Sequence, residues 1–258
     1  MPIPYVCVLS CSFFMIGACI ASFTACASQR YKSGVGIFSP ASKCDSCGRE
    51  LTFLDLIPIV GWCATHGKCK NCKTHIPVRY PLEELFTGIA FTFCWIVIAD
   101  NSFTLKIIIQ SMYVLLICVC AVIDTEIMEV PYSTWAIMGV LSVISVIVQQ
   151  ISFTTIILIL VYTIIFCICM HRGMGWGDIA ILVTIPYVFG LMAAALVMMV
   201  AGIVGIGVYL LEKITHKRCL TRNEEVDKTI GVRMVPPIAF ALLLLVGIQP
   251  YIQGILIV

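Results

Sequence analysis

Long apolar runs separated by short polar stretches dominate the pattern of this sequence. The runs cover residues 5–27, 82–99, 104–123, 131–149, 153–171, 179–190, 192–211 and 235–257. Most of them approach the roughly 20 residues that an α-helix needs to cross a bilayer. In lipid only helices or closed barrels pair all of their backbone polar groups internally. The pattern therefore predicts an all-α polytopic membrane protein with about eight transmembrane helices.

The stretch 178–211 is too long for one ordinary transmembrane helix. Pro186 and Gly190 both weaken a helix, so we place a break near Gly190. The alternative is a single long tilted helix. That arrangement would leave seven spans and move the C-terminus to the opposite side of the membrane.

The composition agrees with a membrane protein, because 60% of the residues are hydrophobic and only 12% are charged. An ordinary soluble domain carries about 25% charged residues. The apolar stretch 1–27 has no basic residue before it, whereas a cleaved signal peptide starts with positive charge. We therefore expect 1–27 to be a retained first transmembrane helix. Most of the 15 cysteines lie in the apolar runs, where cysteine acts as a small hydrophobe.

Lysine and arginine are concentrated in alternate loops. The loops 28–81, 124–130, 172–178 and 212–234 hold 15 of the 16 basic residues. Because basic loops stay in the cytoplasm, these four loops are predicted to be cytoplasmic. Asp124 and Asp178, each at one end of an apolar run, then open onto the same side of the membrane. The expected surroundings are the lipid bilayer, and no nucleic acid partner is expected.

Two C-x-x-C pairs lie in the loop 28–81, which is the largest polar segment. They are Cys44 with Cys47 and Cys69 with Cys72, and they supply four thiolates at the spacing of structural zinc sites. Four thiolates leave no open coordination position, so the pairs predict a structural zinc in a zinc-ribbon-like loop. The alternatives are free thiols or disulfides, and disulfides are disfavoured on the reducing side of a membrane. Neighbouring lysines that would offset the thiolate charge are Lys43, Lys68, Lys70 and Lys73, and weaker candidate ligands are Cys63, His66 and His75.

Asp124 and Asp178 form the candidate catalytic pair. Pro131 follows Asp124 at the start of the next apolar run, and Gly175 and Gly177 precede Asp178 and permit a tight turn. Two neighbouring carboxylates share a proton, so one can act as a base on water and the other as an acid on a carbonyl. Taken singly, Asp178 is also a candidate helix N-cap and Asp124 a solvated helix end. A proton or cation relay in a transporter is a third interpretation.

Several short motifs follow one another along the chain in a specific order. They are Ser22-Phe23, Arg30, Pro40, the two cysteine pairs, Asp55-x-Ile57-Pro58, Arg79-Tyr80-Pro81-Leu82 with Glu84, Asp124 with Pro131, and Gly175-Trp176-Gly177-Asp178. In this order and spacing they resemble the type IV prepilin peptidases, membrane aspartic proteases with a G-x-G-D motif. The sequence departs from that pattern at two places. Thr24 or Ala25 stands where the family often has Asn, and Ala180 stands where it often has Lys.

The resemblance implies an endopeptidase of the bacterial inner or cytoplasmic membrane. Its substrates would be prepilin or pseudopilin precursors, cut after a Gly on the cytoplasmic side, with Asp124 and Asp178 as the catalytic dyad. Many members also methylate the new N-terminus with S-adenosylmethionine. Glu126 and Glu129, on the cytoplasmic rim, are expected to attract the basic leader of the precursor.

The expected layout is a first helix at 1–27, a cytoplasmic four-cysteine loop at 28–81, and a helical bundle at 82–258 that carries the dyad. Two other functions compete with the peptidase. A proton-coupled transporter should carry more acidic residues at mid-membrane depth, and the predicted spans hold none at that depth. A zinc-bearing scaffold of a secretion or pilus machine would use both aspartates only structurally.

Overall fold

The structure, a computed structural model, describes residues 3–34, 36, 42–100, 105–170, 174–220 and 235–255. Its helices there are α1 (Ile3–Lys32), α2 (Val60–Ala64), α3 (Arg79–Asp100), α4 (Leu105–Ile127), α5 (Tyr132–Gln149), α6 (Phe153–Met170), α7 (Trp176–Phe189), α8 (Leu191–Leu220) and α9 (Val235–Ile255). Each predicted apolar run coincides with one of the long helices α1 and α3 to α9, which confirms the predicted all-α fold. Pro40, Arg172 and residues 221–234 lie outside the described residues.

Five of the described helices have the length and composition of membrane-spanning segments. Within the described chain, α1, α4, α5, α6 and α8 are long and apolar enough to cross a membrane. The helix α7 and the segment Val235–Val246 of α9 are apolar but shorter. The helix α6 exposes a run of large apolar side chains, among them Leu158, Val161 and Ile165. Such exposure is expected where lipid, not water, surrounds a helix, and the chain is a membrane protein.

The predicted break near Gly190 is confirmed. The helix α7 ends at Phe189 and α8 begins at Leu191, with Gly190 between them at φ 89°. Glycine adopts this positive φ without the steric cost that a Cβ would bring. The Gly190 N–H still donates to the Pro186 carbonyl at 2.9 Å, so the turn remains hydrogen-bonded. The alternative of one long helix over 178–211 is therefore wrong.

Residues 1–111 form one compact unit, and residues 112–258 form a second. In the first unit, α1 lies along α3. A Cβ on Gly17 would come within 2.7 Å of the Thr87 carbonyl, and one on Gly88 within 2.8 Å of the Phe14 ring. Glycines at these two places let the helix backbones approach closely, as is common in membrane helix pairs.

The second unit is built around the short helix α7. This helix packs against α5, α6 and α8, and α8 also packs against α9. Its buried side chains, Ile179, Ile181, Leu182, Ile185, Pro186 and Val188, cover about half of the helix circumference, and Ala180, Val183, Thr184 and Tyr187 on the other half are partly buried. A helix that is apolar all round belongs inside a bundle. The central position of α7 places Asp178, in its first turn, at one end of the core of this unit.

Candidate functional site

Each C-x-x-C pair sits in a tight turn closed by backbone hydrogen bonds. The Cys44 N–H donates to the Arg49 carbonyl at 2.9 Å, and the Cys69 N–H donates to the Thr74 carbonyl at the same distance. An isolated antiparallel bridge closes each turn, Lys43 with Glu50 and Lys68 with His75. The residue after each second cysteine has a positive φ, 68° at Gly48 and 61° at Lys73. The two turns are therefore near copies, although only the first has the glycine that this backbone favours.

The two turns bring their four cysteines together. The sulfur atoms of Cys44, Cys47, Cys69 and Cys72 all lie within 4.8 Å of one another. The Cys44–Cys72 and Cys47–Cys69 sulfurs are 3.8 and 4.0 Å apart, too far for disulfide bonds. Four sulfurs held tetrahedrally at about 2.3 Å from zinc would be about 3.8 Å apart, so the donor set fits this metal. Among the described residues Cys63, His66 and His75 are not part of the group.

The turns also favour the thiolate form that a metal requires. The backbone N–H groups of Cys72 and Asn71 lower the pKa of the Cys69 thiol to about 6. The backbone N–H of Arg49, followed by the Asn71 side chain, lowers the pKa of Cys47. Hydrogen bonds to the charged form of a group stabilise that form. These hydrogen bonds therefore favour the anionic form of Cys47 and Cys69, whereas the pKa of Cys44 is raised.

A buried carboxylate, Asp55, ties the two turns together. One of its oxygens accepts a hydrogen bond from Arg49 at 2.6 Å, and the other pairs with Lys70 at 2.6 Å. Arg49 follows the first cysteine pair and Lys70 lies inside the second, while the Asp55 side chain is only 7% exposed. Lys70 and hydrogen bonds from Thr52 and Arg49 hold the pKa of Asp55 well below its usual value. The sequence analysis noted Asp55 only as part of a family motif and missed this role.

A second buried carboxylate, Glu84, fastens the same loop to α3. Its Oε2 atom accepts a hydrogen bond from the Ile59 N–H at 2.6 Å. Ile59 has φ 62°, which is strained for a β-branched residue. Because a charged acceptor makes a strong hydrogen bond, Glu84 helps to hold this unusual backbone. The loop is thus fixed to the first turns of α3.

Asp124 lies in the last turn of α4, which ends at Ile127. Its side chain is only 7% exposed, and its backbone carbonyl accepts a hydrogen bond from the Met128 N–H at 3.0 Å. Because the side chain is buried, the expected alternative of a solvated helix end is wrong. Burying a carboxylate is costly unless another group compensates for it. Pro131 is the N-cap residue of α5, whose first residue is Tyr132.

Asp178 lies in the first turn of α7, and Gly175 is the N-cap residue of that helix. The alternative of Asp178 as the N-cap is therefore wrong. An acid in a first helical turn is stabilised by the helix dipole. The helix dipole alone does not explain why Asp178 lies near a second acid. The Asp178 carboxylate is half-buried and lies in electrostatic range of Asp124.

The packing of α4 against α7 explains why these two acids meet. The Tyr113 ring, early in α4, makes an edge contact with the Phe189 ring at the end of α7, with centroids 5.9 Å apart. Its hydroxyl donates to the Ile181 carbonyl at 3.2 Å, and Val130, just beyond the end of α4, lies against Gly177 at the start of α7, so the two helices run in opposite directions. Asp124 follows Tyr113 by eleven residues, and Phe189 follows Asp178 by the same number. Eleven residues are about three helical turns and about 16.5 Å, so this contact brings both acids to one level and one face.

Gly177 makes the closest contact at the acidic end of the two helices. A Cβ on Gly177 would lie 2.9 Å from both Cβ and Cγ2 of Val130. Val130 directly precedes Pro131 and α5, so the Gly-x-Gly-Asp turn rests on the segment that follows α4. A Cβ on Gly175 would lie 3.4 Å from Asp178 Oδ2. Gly177 therefore makes room for Val130, whereas a Cβ at Gly175 would be in ordinary contact with the Asp178 carboxylate.

The remaining predicted site residues lie around this end of the second unit. Glu126 is half-buried and Glu129 is exposed. Ala180, which stands where the resemblance predicted lysine, is half-buried in the first turns of α7. Its carbonyl accepts a hydrogen bond from the Thr184 hydroxyl at 2.9 Å. Position 180, two residues after Asp178, therefore carries an uncharged side chain where the family often has lysine.

Family models match both parts of the chain. The model described as the bacterial peptidase A24 N-terminal domain matches residues 15–98, and that of the type IV leader peptidase family matches residues 111–210. The first match contains the four-cysteine loop, and the second contains both Asp124 and Asp178. No solved structure matches the chain.

Curated relatives carry corresponding names. A prepilin leader peptidase/N-methyltransferase of Myxococcus xanthus is 38% identical over 81 residues, which are 31% of this chain and 24% of that protein. One of Bacillus subtilis with the same name is 32% identical over 118 residues, 46% of each chain. A type 4 prepilin-like proteins leader peptide-processing enzyme of Escherichia coli is 30% identical over 95 residues, 37% of this chain and 34% of that protein. The matched segments thus span less than half of each of these relatives. With two successive family models over most of its length, the chain belongs to the type IV prepilin leader peptidase family.

Proposed function

We propose that this protein is a membrane aspartic endopeptidase that removes the basic leader from type IV prepilin-like precursors, cutting after a Gly. The observation that carries the proposal is that Asp124 and Asp178 lie in electrostatic range of each other, at the end of α4 and the start of α7. The names of the relatives support the substrate class, since they process prepilins or prepilin-like proteins. The leader would approach past Glu126 and Glu129.

The chemistry follows from two carboxylates that share one proton. The ionised member takes a proton from water as the water oxygen attacks the scissile carbonyl carbon. The protonated member gives its proton to the carbonyl oxygen, and a tetrahedral intermediate forms without a covalent bond to the protein. The C–N bond then breaks as the leaving nitrogen takes a proton from the dyad. Activity should fall at low pH, where both acids are protonated, and at high pH, where both are ionised.

The proposed location is the bacterial inner membrane, with the dyad and the four-cysteine loop on the cytoplasmic side. The distribution of lysine and arginine supports this orientation. A second activity, methylation of the new N-terminus with S-adenosylmethionine, is proposed from the names of the M. xanthus and B. subtilis relatives alone. Neither unit is assigned to that activity.

We further propose that Cys44, Cys47, Cys69 and Cys72 hold a structural zinc ion. Their sulfur separations match a tetrahedral site, and all four positions around the metal would be filled by protein. Bound zinc would cross-link the two turns. We therefore expect about one zinc per chain in purified, chelator-free protein. Replacing Cys44 and Cys47 by Ser should remove the metal, whereas Cys63→Ser, in the same loop, should retain it.

The dyad is tested by Asp124→Asn and Asp178→Asn in a prepilin cleavage assay. Each variant keeps the shape of the side chain but removes its titrating group, so each should abolish cleavage. The double variant should be no worse than either single one, because the pair acts as a unit. Glu50→Gln, which removes an exposed carboxylate from the four-cysteine loop, is the matched control and should cleave normally. Substantial cleavage by either Asn variant, at matched expression and metal content, would favour the transporter or scaffold function instead.

A further inference from the structure

The turn between the two cysteine pairs presents apolar side chains on its outer surface. Phe53 is 81% exposed, Leu54 65%, Leu56 44% and Val60 56%. The residues between them, Asp55, Ile57, Pro58 and Ile59, are partly or fully buried. We call the four exposed residues the apolar turn surface. Four exposed large apolar side chains within eight residues of one turn indicate an interaction site, because isolated exposed apolar residues are ordinary but clusters are not.

The apolar turn surface is held in place by polar contacts on its inner side. Asp55 pairs with Arg49 and Lys70 and accepts a hydrogen bond from the Thr52 N–H at 3.1 Å. At the other end of the turn, the Ile59 N–H donates to Glu84. Both ends of the turn are therefore fixed. Because the polar side of the turn makes these contacts, the exposed apolar side chains lie on its outer side.

Glu84 also sets the level of the turn relative to the membrane. It is the sixth residue of α3, which begins at Arg79, and thus lies about 7.5 Å along the helix axis. On the same helix Leu82, Leu85 and Ile89 are large, apolar and exposed at the spacing of one helix face. A face of this kind is expected to meet lipid. The Ile59–Glu84 hydrogen bond therefore holds the turn at the level of this apolar face of α3.

We propose that the apolar turn surface inserts into the boundary between headgroups and acyl chains of the bilayer, and so anchors the four-cysteine loop flat against the membrane. The occupant is lipid because the turn is fastened at the level where the exposed face of α3 is apolar. At that level water is replaced by acyl chains, and an aromatic and three aliphatic side chains gain by leaving water. The proposal does not depend on the catalytic dyad or on zinc.

The test uses the full-length protein in bacterial membranes with a photo-reactive benzophenone amino acid at position 53. After irradiation, mass spectrometry identifies what the side chain has captured. Phospholipid adducts are expected at position 53. The matched control places the same group at Glu50, a nearby exposed polar position, where adducts to lipid should be largely lost. Metal content and membrane insertion of both proteins are measured, so that an unfolded loop is recognised.

The outcomes separate the possible occupants. Adducts at position 53 to another part of this chain, to a second copy or to a prepilin would overturn the proposal and identify a protein-docking surface. Equal lipid capture at positions 50 and 53 would also overturn it, because the apolar side chains would then confer no preference. As a second measurement, the Leu54→Trp protein is placed in vesicles of brominated phospholipid. The fluorescence that the new tryptophan adds to that of the wild-type protein should be quenched. Quenching of that signal by aqueous acrylamide instead would place the turn in water and refute insertion.

Discussion

The contact between Gly177 and Val130 leads to a prediction about how precisely the dyad must be placed. In Gly177→Ala the new Cβ would stand 2.9 Å from both Cβ and Cγ2 of Val130. Ordinary contacts between carbon atoms are about 3.5–4.0 Å, so the turn must move away by roughly 0.6–1 Å. Asp178 is the next residue and moves with the turn. The substitution therefore shifts one acid of the proposed dyad relative to the other.

The expected effect on activity is larger than the effect on stability. Overpacking of this size costs about 1–3 kcal/mol, while alanine in a helix gains up to about 1 kcal/mol over glycine. The net loss of folding free energy is then about 0–2 kcal/mol. A displacement of about 1 Å at a reacting centre can cost on the order of 100-fold in rate. We therefore expect prepilin cleavage by Gly177→Ala to fall about 100-fold with only a small change in melting temperature.

The experiment compares cleavage rates of a prepilin by membranes that contain equal amounts of each variant. Gly202→Ala is the matched control, because a Cβ on Gly202 in α8 meets no atom within 4 Å. That variant should cleave at the wild-type rate. Val130→Gly removes both atoms that the new Cβ would strike, so adding it to Gly177→Ala should restore much of the activity. Val130→Ala removes Cγ2 but keeps Cβ, the other atom that the new Cβ would strike, and should restore less.

Two results would refute this reasoning. Full cleavage by Gly177→Ala would show that the distance between the acids is not set by the Gly177 turn. Failure of Val130→Gly to improve the Gly177→Ala protein, when Val130→Gly alone is active, would show that the loss has another cause. If Val130→Gly restores more activity to Gly177→Ala than Val130→Ala does, the effect is steric and not a general loosening of the loop.

Three further predictions concern orientation, the four-cysteine loop and the leader. A reporter fused after Lys217 should be cytoplasmic and one at Asp100 external, and the reverse result would contradict the orientation drawn from the basic loops. Asp55→Asn should weaken the four-cysteine loop by about 1–3 kcal/mol, since it loses charge-assisted hydrogen bonds, and zinc should pass faster to a competing chelator; unchanged transfer would contradict this role. Reversing the charges of Glu126 and Glu129 should raise the apparent KM for prepilin more than it lowers kcat, with the effect fading at high salt. Unchanged low-salt kinetics would exclude leader binding there.

The parts of the fold that depend on local sequence could be predicted. The break at Gly190 follows from one proline and one glycine in an apolar run, and the cysteine pairs from their own spacing. Both signals act over a few residues, so no knowledge of tertiary packing is needed. The helix ends are less local. The helix α1 continues to Lys32, beyond the predicted limit at residue 27, because polar residues can extend a helix past the membrane surface.

The contacts between distant segments could not be predicted in this way. Asp55 carries no local sign that its partners are Arg49 and Lys70, because their pairing depends on how the two cysteine turns approach. Lys73 adopts a positive φ like that of Gly48, and its residue type gives no indication of this backbone conformation. A residue is forced into such a conformation when the surrounding hydrogen bonds determine it. Here the Lys73 N–H donates to the Cys69 carbonyl at 3.1 Å.

The position of the proposed dyad combines both kinds of information. Sequence alone places Asp124 and Asp178 at the ends of apolar runs, but ends of helices in one leaflet can still lie far apart. The contact of Tyr113 with Phe189 fixes α7 at its far end, and the contact of Gly177 with Val130 fixes it at the near end. The equal spacing of eleven residues on both helices then brings the acids to the same level. The shortness of α7 therefore serves the site, because a helix held at both ends leaves Asp178 little freedom to move away from Asp124.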